Sequence, residues 1–101
     1  MKILFDQGTP VPLRHRLKVS TAFEMGWANL SNGDLLTAAE SLFDLLITTD
    51  QNLRYQQNLT ARHLAILVLG TTSWPRIRQR IGEINALVED TQHGAYVELP
   101  F

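Results

Sequence analysis

The chain has 101 residues, of which 45% are hydrophobic and 19% are charged, and its formal net charge is −1. These values are typical of one globular domain and exclude a disordered chain. The near-zero net charge excludes a global basic field that would hold nucleic acid, so any such contact must come from local patches. The absence of cysteine excludes disulfides and thiolate metal sites.

No apolar stretch approaches the roughly 20 residues of a membrane span. The apolar run at the start of the chain is too short for a signal peptide. We therefore expect a cytoplasmic protein with no membrane contact. The chain has no internal repeat and no linker, which predicts a single domain over residues 1–101.

The first half of the chain alternates short apolar runs with helical patterns. Leu35, Ala38, Ala39 and Leu42 fall at helical spacing after the turn signal Asn32-Gly33. The predicted elements are a strand at 2–5, a helix from the Thr9–Pro12 region to about 17, a short strand at 18–22, a helix at 34–43 and a strand at 45–48.

The second half continues the alternation. Ile77, Ile81, Ile84 and Val88 form one apolar stripe, which predicts a single long final helix. The predicted elements are a short helix or turn from 50 to about 57, a central buried strand at 64–69, a helix with Ser73 as N-cap and Pro75 in its first turn, its end at 93–94, and an edge strand at 95–99. Strands that alternate with helices predict an α/β fold with a parallel sheet and helices on both faces.

Carboxylates follow two of the predicted strands. Asp6 follows the strand predicted at 2–5, and Asp50 follows the strand predicted at 45–48. Asp34 lies at the start of the predicted helix between these strands in the sequence. Ligands of open α/β sheets bind outside the carboxyl ends of the strands. Mg²⁺ or Mn²⁺ prefers such oxygen ligands and activates water beside a phosphoryl group. The three aspartates therefore predict a metal site for phosphodiester hydrolysis.

Helix capping explains the same residues without a metal. Asp50 is a good N-cap for the segment that follows it, Ser31-x-x-Asp34 fits a capping box, and Asp6 could cap the first helix or bind loop amides. Thr21-x-x-Glu24 is a second capping-box match, which leaves Glu24 as a reserve metal ligand. A phosphate-receiving response-regulator domain has a similar acidic layout but needs a lysine after a late strand. The lysines here are Lys2 and Lys18, both early in the chain, so the sequence fits that class poorly.

Several longer segments of the chain resemble those of a known protein family. The segments ILFDQGTPVPLR, EMGW, NGDLL, LLITTDQNLRYQQNL, AILVL and TTSWPRIR together resemble the small bacterial PIN-like proteins, whose members include toxin components of toxin–antitoxin pairs. The resemblance spans nearly the whole chain. It implies a three-layer α/β/α sandwich in which Asp6, Asp34 and Asp50 hold Mg²⁺ or Mn²⁺ and cut RNA. It also implies the role of toxin in a type II pair, with an antitoxin protein as partner and a possible homo-oligomer.

The chain departs from active PIN nucleases beside the acidic cluster. Gln51 and Asn52 stand where a further carboxylate is common, and Gln7 stands where relatives carry an acid. Amide oxygens bind a cation less tightly than carboxylates do. We expect Asn52 to be a metal ligand and Gln51 to orient water or substrate. The alternative is a non-catalytic PIN-like module that binds a partner protein or RNA.

The basic residues predict where phosphate binds. Arg54 lies four residues beyond Asp50, and Arg14 belongs to a second small cluster. Arg76, Arg78 and Arg80 stand near the start of the predicted final helix, where cations oppose the helix dipole. Such a placement favours phosphate contacts. The alternative is a solvated helix face with an Arg80–Glu83 pair.

Histidines and tryptophans predict no further site. His15, His63 and His93 are scattered along the chain without the spacing of a zinc motif. Trp27 and Trp74 are interpreted as packing residues in preference to base-stacking platforms.

Overall fold

The fold is built on five short parallel strands, seen in a computed structural model that describes residues 2–6, 12, 19–53 and 62–101. Within these residues the elements are β1 (Ile3–Phe5), β2 (Ser20–Thr21), α1 (Asn32–Glu40), β3 (Leu45–Thr48), β4 (Ala65–Leu69), α2 (Trp74–Arg78), α3 (Ile81–Asp90) and β5 (Tyr96–Leu99).

The sheet has the strand order β2-β1-β3-β4-β5, and every neighbouring pair is parallel. The register pairs Phe5 with Ile47 and Ile47 with Leu67, so the ends of the three inner strands are level. Every residue of β3 and β4 is buried, as expected for strands covered on both faces. β5 lies at one edge of the sheet, as predicted, and β2 lies at the other.

Alternate residues of the inner strands supply two hydrophobic cores, one on each face of the sheet. Ile47 and Leu67 face one core, where Ile77 of α2 and Ile84 of α3 cover them. Leu46 and Ile66 face the other core, which is covered by Leu36 and the rest of the buried side of α1. The sequence prediction of helices on both faces of a parallel sheet is therefore confirmed.

The predicted single final helix is wrong. Two helices occupy this segment, because the backbone leaves the helical conformation at Arg80, whose φ and ψ angles are −121° and 23°. Arg76 and Arg78 consequently lie in the last turn of α2, where the helix dipole stabilises cations. Glu83 lies in the first turn of α3, where the dipole stabilises an acid. The unfavourable interaction between arginines and the helix dipole, expected from the sequence, is therefore absent at Arg76 and Arg78.

The other element boundaries differ from the predictions by a few residues at most. The helix predicted over 9–17 and the end of the segment predicted over 50–57 lie outside the described residues, apart from Pro12, which is helical. Among the described helices, none is long and apolar enough to cross a membrane.

Candidate functional site at the carboxyl edge of the sheet

Asp6 and Asp50 follow β1 and β3, which are neighbours in the middle of the sheet. Because parallel strands end at the same edge, both residues lie at the carboxyl edge. The backbone N–H of Asp6 continues the β1–β3 ladder by donating to the carbonyl of Ile47 at 3.0 Å. The side chain that follows β1 is therefore held beside the end of β3.

Thr48 links the two aspartates. Its hydroxyl donates to Oδ2 of Asp6 at 2.8 Å and accepts the backbone N–H of Asp50 at 3.1 Å. Thr48 is fully buried, and it is the polar exception in the otherwise apolar strand β3. The one hydroxyl thus fixes the Asp6 carboxylate against the turn that carries Asp50.

Asp50 also caps the turn that follows it. Its Oδ1 atom accepts the backbone N–H of Asn52 at 3.0 Å, and its carbonyl accepts the N–H of Leu53 at 3.4 Å. The capping interpretation of Asp50 is therefore confirmed. Capping is compatible with metal binding, because a carboxylate offers about four lone-pair positions on its two oxygens.

Asp34 is exposed in the first turn of α1. Its backbone N–H donates to the hydroxyl of Ser31 at 3.3 Å, so the predicted N-cap at Ser31 is present. Within the described ranges, no three His, Cys, Asp or Glu side chains are grouped so that they could hold a metal ion. Asp34 therefore does not complete a cage of three direct ligands with Asp6 and Asp50 in this structure.

Glu24, the predicted reserve ligand, is part of a capping box. Its Oε1 atom accepts the backbone N–H of Thr21 at 3.1 Å and the Thr21 hydroxyl at 3.2 Å. In return, the N–H of Glu24 donates to the Thr21 hydroxyl at 3.1 Å. This reciprocal pair holds the turn at the end of β2.

Gln51 and Asn52 are both exposed beside Asp50. The Gln51 side-chain amide donates to the carbonyl of Gly70 at 3.3 Å, which ties the turn after β3 to the end of β4. A cavity of about 250 Å³ opens next to this bond, between Gln51, Glu98 and Pro100. Gln51 thus lines a recess beside the Asp50 turn, and its predicted role of orienting water or substrate stays a prediction.

The predicted phosphate-binding arginines differ in their surroundings. Arg80 binds Glu83, with Nε to Oε2 at 3.0 Å and an N–H to Oε1 at 2.8 Å. It also donates to the carbonyl of Pro100 and lies 4.7 Å from the ring centroid of Phe101. The predicted Arg80–Glu83 pair is confirmed, and Arg80 anchors the segment after β5. Arg14 and Arg54, like Gln7, lie outside the described residues.

Arg76 and Arg78 are exposed on α2, which begins after the carboxyl end of β4. Among the predicted phosphate-binding arginines in the described residues, these two have exposed side chains, whereas Arg80 is half-buried.

Two of the histidines, expected to be scattered, come together at the opposite edge. The rings of His63 and His93 lie 6.4 Å apart between centroids, because these residues precede the neighbouring strands β4 and β5. No sequence spacing predicts this pair. The packing interpretation of the tryptophans is confirmed, since Trp27 makes an edge contact with Phe43 and Trp74 packs on the core under α2 and α3.

Comparisons of the chain with protein-family models, with curated proteins and with solved structures gave no match.

Proposed function

We propose that the protein is a PIN-like, divalent-metal-dependent ribonuclease that hydrolyses RNA phosphodiesters, and that it is the toxin of a toxin–antitoxin pair. One observation carries the catalytic part of the proposal. Asp6 and Asp50 follow neighbouring parallel strands, and the buried hydroxyl of Thr48 joins the Asp6 carboxylate to the backbone N–H of Asp50. The toxin role rests on the resemblance of the sequence to small bacterial PIN-like proteins.

The donor set fits Mg²⁺ or Mn²⁺. Protein sites for Mg²⁺ commonly use one or two carboxylates and leave the other positions to water and substrate phosphate. Asp6 and Asp50 would supply these carboxylates, and the exposed Asp34 would act through water. When bound, the ion would activate a water and offset the charge that develops on the phosphoryl oxygens.

The chain itself would bind and orient the substrate. Thr48 holds the Asp6 carboxylate in place before substrate arrives, which reduces the reorganisation needed on binding. Asn52 would add a neutral oxygen beside Asp50. Arg76 and Arg78 would contact phosphates on the β4 side of the carboxylates, with Arg14 and Arg54 as further predicted contacts.

The test is cleavage of a labelled single-stranded RNA with Mg²⁺ or Mn²⁺, compared with cleavage in excess chelator. Asp6→Asn should abolish metal-dependent cleavage, because an amide can still accept the Thr48 hydroxyl but lacks the charge. Asp90→Asn is the matched control, since Asp90 ends α3, which runs back to the opposite edge of the sheet. Equal activity of the Asp6→Asn protein and the wild type would contradict the proposal.

A second candidate function is a non-catalytic PIN-like module that binds a partner protein or RNA. The observation in its favour is that the described residues include no group of three potential metal-binding side chains. This alternative predicts that purified wild-type protein binds RNA or a partner protein but cleaves no RNA even at high Mn²⁺ concentration.

A further inference from the structure

Phe23 is the most exposed large hydrophobic side chain in the described part of the chain. It is 78% exposed, compared with 39% for Leu30 and 49% for Leu42. A single exposed apolar residue is common on protein surfaces and by itself implies no function. Two further features distinguish Phe23, namely the turn that carries it and its place at the carboxyl edge of the sheet.

The turn that carries Phe23 is closed by several hydrogen bonds. The N–H of Trp27 donates to the carbonyl of Ala22 at 2.8 Å, and the N–H of Gly26 donates to the carbonyl of Phe23 at 3.1 Å. The reciprocal bonds between Thr21 and Glu24 close the same turn. The aromatic ring is therefore presented to solvent on a hydrogen-bonded turn, and such preorganisation reduces the entropy lost when a ligand covers the ring.

Phe23 lies at the same edge of the sheet as the aspartates. It follows β2, and the N–H of the preceding Ala22 donates to the carbonyl of Phe5 at 2.9 Å, directly before Asp6. The strand order then places Asp6, Asp50 and the start of α2 in succession along the edge. Since neighbouring strands are about 4.8 Å apart, β2 and β4 are separated by about 14 Å.

The carboxyl edge therefore carries an exposed aromatic ring after β2 and the two aspartates after β1 and β3, and the exposed cations Arg76 and Arg78 lie on α2, which follows β4. A strand of nucleic acid offers the complementary chemistry, because its bases stack on aromatic rings and its phosphates bind arginines and divalent cations. A protein partner would need a contiguous apolar area. Among the described residues, the two other exposed large hydrophobics add little to Phe23, since Leu42 follows α1 at the opposite edge and Leu30, next to the same turn, is only 39% exposed.

We propose that Phe23 is a base-stacking platform beside the aspartates. This inference rests on the proposed ribonuclease function and adds a residue that contacts the RNA substrate. A base paired within a duplex has its faces covered by its neighbours, so a strand whose bases can unstack is required.

The experiment measures binding of a fluorescein-labelled oligoadenylate of eight nucleotides by anisotropy, with Ca²⁺ as the cation. Phe23→Ala should raise the Kd of the single strand about 5- to 150-fold, because stacking of one base on an aromatic side chain has an effect of this size. Phe23→Trp should restore binding, since a larger ring also stacks. Leu42→Ala is the matched control, because it removes an exposed apolar side chain from the other edge and should leave the Kd unchanged.

An oligonucleotide with one abasic position supplies a second readout. Wild-type protein should bind the oligonucleotide more weakly when the abasic position falls at the stacked base, whereas the Phe23→Ala protein should not respond to the change. If a folded Phe23→Ala protein binds and cleaves single-stranded RNA as the wild type does, the stacking role is wrong while the ribonuclease function stands. The same holds if Phe23→Ala alters only self-association, which would indicate a protein contact. If the wild type neither binds nor cleaves RNA, the proposed function fails and the inference fails with it.

Discussion

Thr48 donates its hydroxyl hydrogen to the carboxylate of Asp6 across 2.8 Å, although the two residues are 42 positions apart in the sequence. The contact exists because β1 and β3 pair in parallel and end at the same level. The hydroxyl also accepts the backbone N–H of Asp50, so one buried side chain holds the Asp6 carboxylate beside the turn that carries Asp50.

The first prediction concerns this hydroxyl. Thr48→Val keeps the shape of the side chain but removes the hydrogen bonds to Asp6 and Asp50, which should cost about 1–3 kcal/mol of unfolding free energy. It should also weaken Mn²⁺ binding, because the Asp6 carboxylate loses the Thr48 hydrogen bond that helps to orient it. Urea denaturation and calorimetric metal titration measure the two effects.

Thr48→Ser is the control for that variant. It keeps the hydroxyl and removes one methyl group, so it should cost about 1 kcal/mol of stability while preserving metal affinity. Equal metal affinity in the Val and Ser proteins would show that the Thr48 hydroxyl does not organise a metal site.

The second prediction separates the two roles of Asp50. Asp50→Asn should abolish cleavage yet change the unfolding free energy by less than about 1 kcal/mol, because an asparagine oxygen can still cap the N–H of Asn52. Asp50→Ala removes the cap as well and should be less stable by about 1 kcal/mol. Thermal denaturation and an RNA cleavage assay distinguish these outcomes. An Asp50→Asn protein that stays active would leave Asp50 with the capping role alone.

The third prediction concerns Asn52, the departure from the PIN nuclease pattern beside Asp50. Asn52→Asp would add a negative charge next to a residue whose carboxylate accepts the Asn52 N–H. Mg²⁺ and Mn²⁺ should then bind more tightly in the absence of RNA, and cleavage should begin at a lower metal concentration. Calorimetric titration of the free protein provides the measurement, and unchanged metal affinity in a folded variant would show that position 52 does not face the metal.

The fourth prediction tests the contact between Gly70 and the segment after β5. A Cβ atom at Gly70 would lie 3.1 Å from the carbonyl oxygen of Leu99 and 3.2 Å from the Cα of Pro100. These are backbone atoms that cannot rotate away, so Gly70→Ala should lower stability by about 1–3 kcal/mol. Urea denaturation measures the change.

Gly82→Ala is the matched control, because a Cβ atom at that helical position meets nothing within 4 Å. It should raise the stability by about 0.5–1 kcal/mol. Equal effects of the two substitutions would contradict the close packing at Gly70.

The fifth prediction distinguishes structural from substrate-binding arginines. Arg80→Gln removes the interactions with Glu83, Pro100 and Phe101 and should lower stability by about 1 kcal/mol. The double variant Arg76→Gln, Arg78→Gln should leave stability within about 0.5 kcal/mol and weaken RNA binding. The salt dependence of its RNA binding should also fall by about 0.7 in logarithmic slope for each phosphate that the arginines no longer neutralise. Reversed behaviour of the two variants would overturn this assignment.

The strands were predictable from the sequence because fully buried parallel strands are continuous apolar runs, as at Ala65–Leu69. The break at Arg80 was not. Ile77 and Ile84 pack in the same core on either side of the break, so the apolar spacing continues through it. A hydrophobic stripe indicates which side chains are buried, but it does not indicate whether the backbone between them stays helical.

The two aspartates at strand ends were predictable in the same way, but the role of Thr48 was not. Its only sequence signal is a polar residue at the end of an apolar strand, and the partner of its hydroxyl depends on which strand pairs with β3. The contact of His63 with His93 likewise depends on the order of β4 and β5 in the sheet. Contacts between distant residues follow from the sheet topology, which local patterns leave open.

The most direct test of the account is a titration of Mn²⁺ with protein, followed by the electron paramagnetic resonance signal of the free aqueous ion. The account predicts one Mn²⁺ site per chain in the wild type. It predicts that Asp6→Asn and Asp50→Asn each weaken binding at least about tenfold, a difference of about 1.4 kcal/mol, while Asp90→Asn leaves it unchanged. Wild-type protein that leaves the signal of free Mn²⁺ unchanged, or Asp6→Asn and Asp90→Asn proteins of equal affinity, would contradict the claim that Asp6 and Asp50 hold one metal ion.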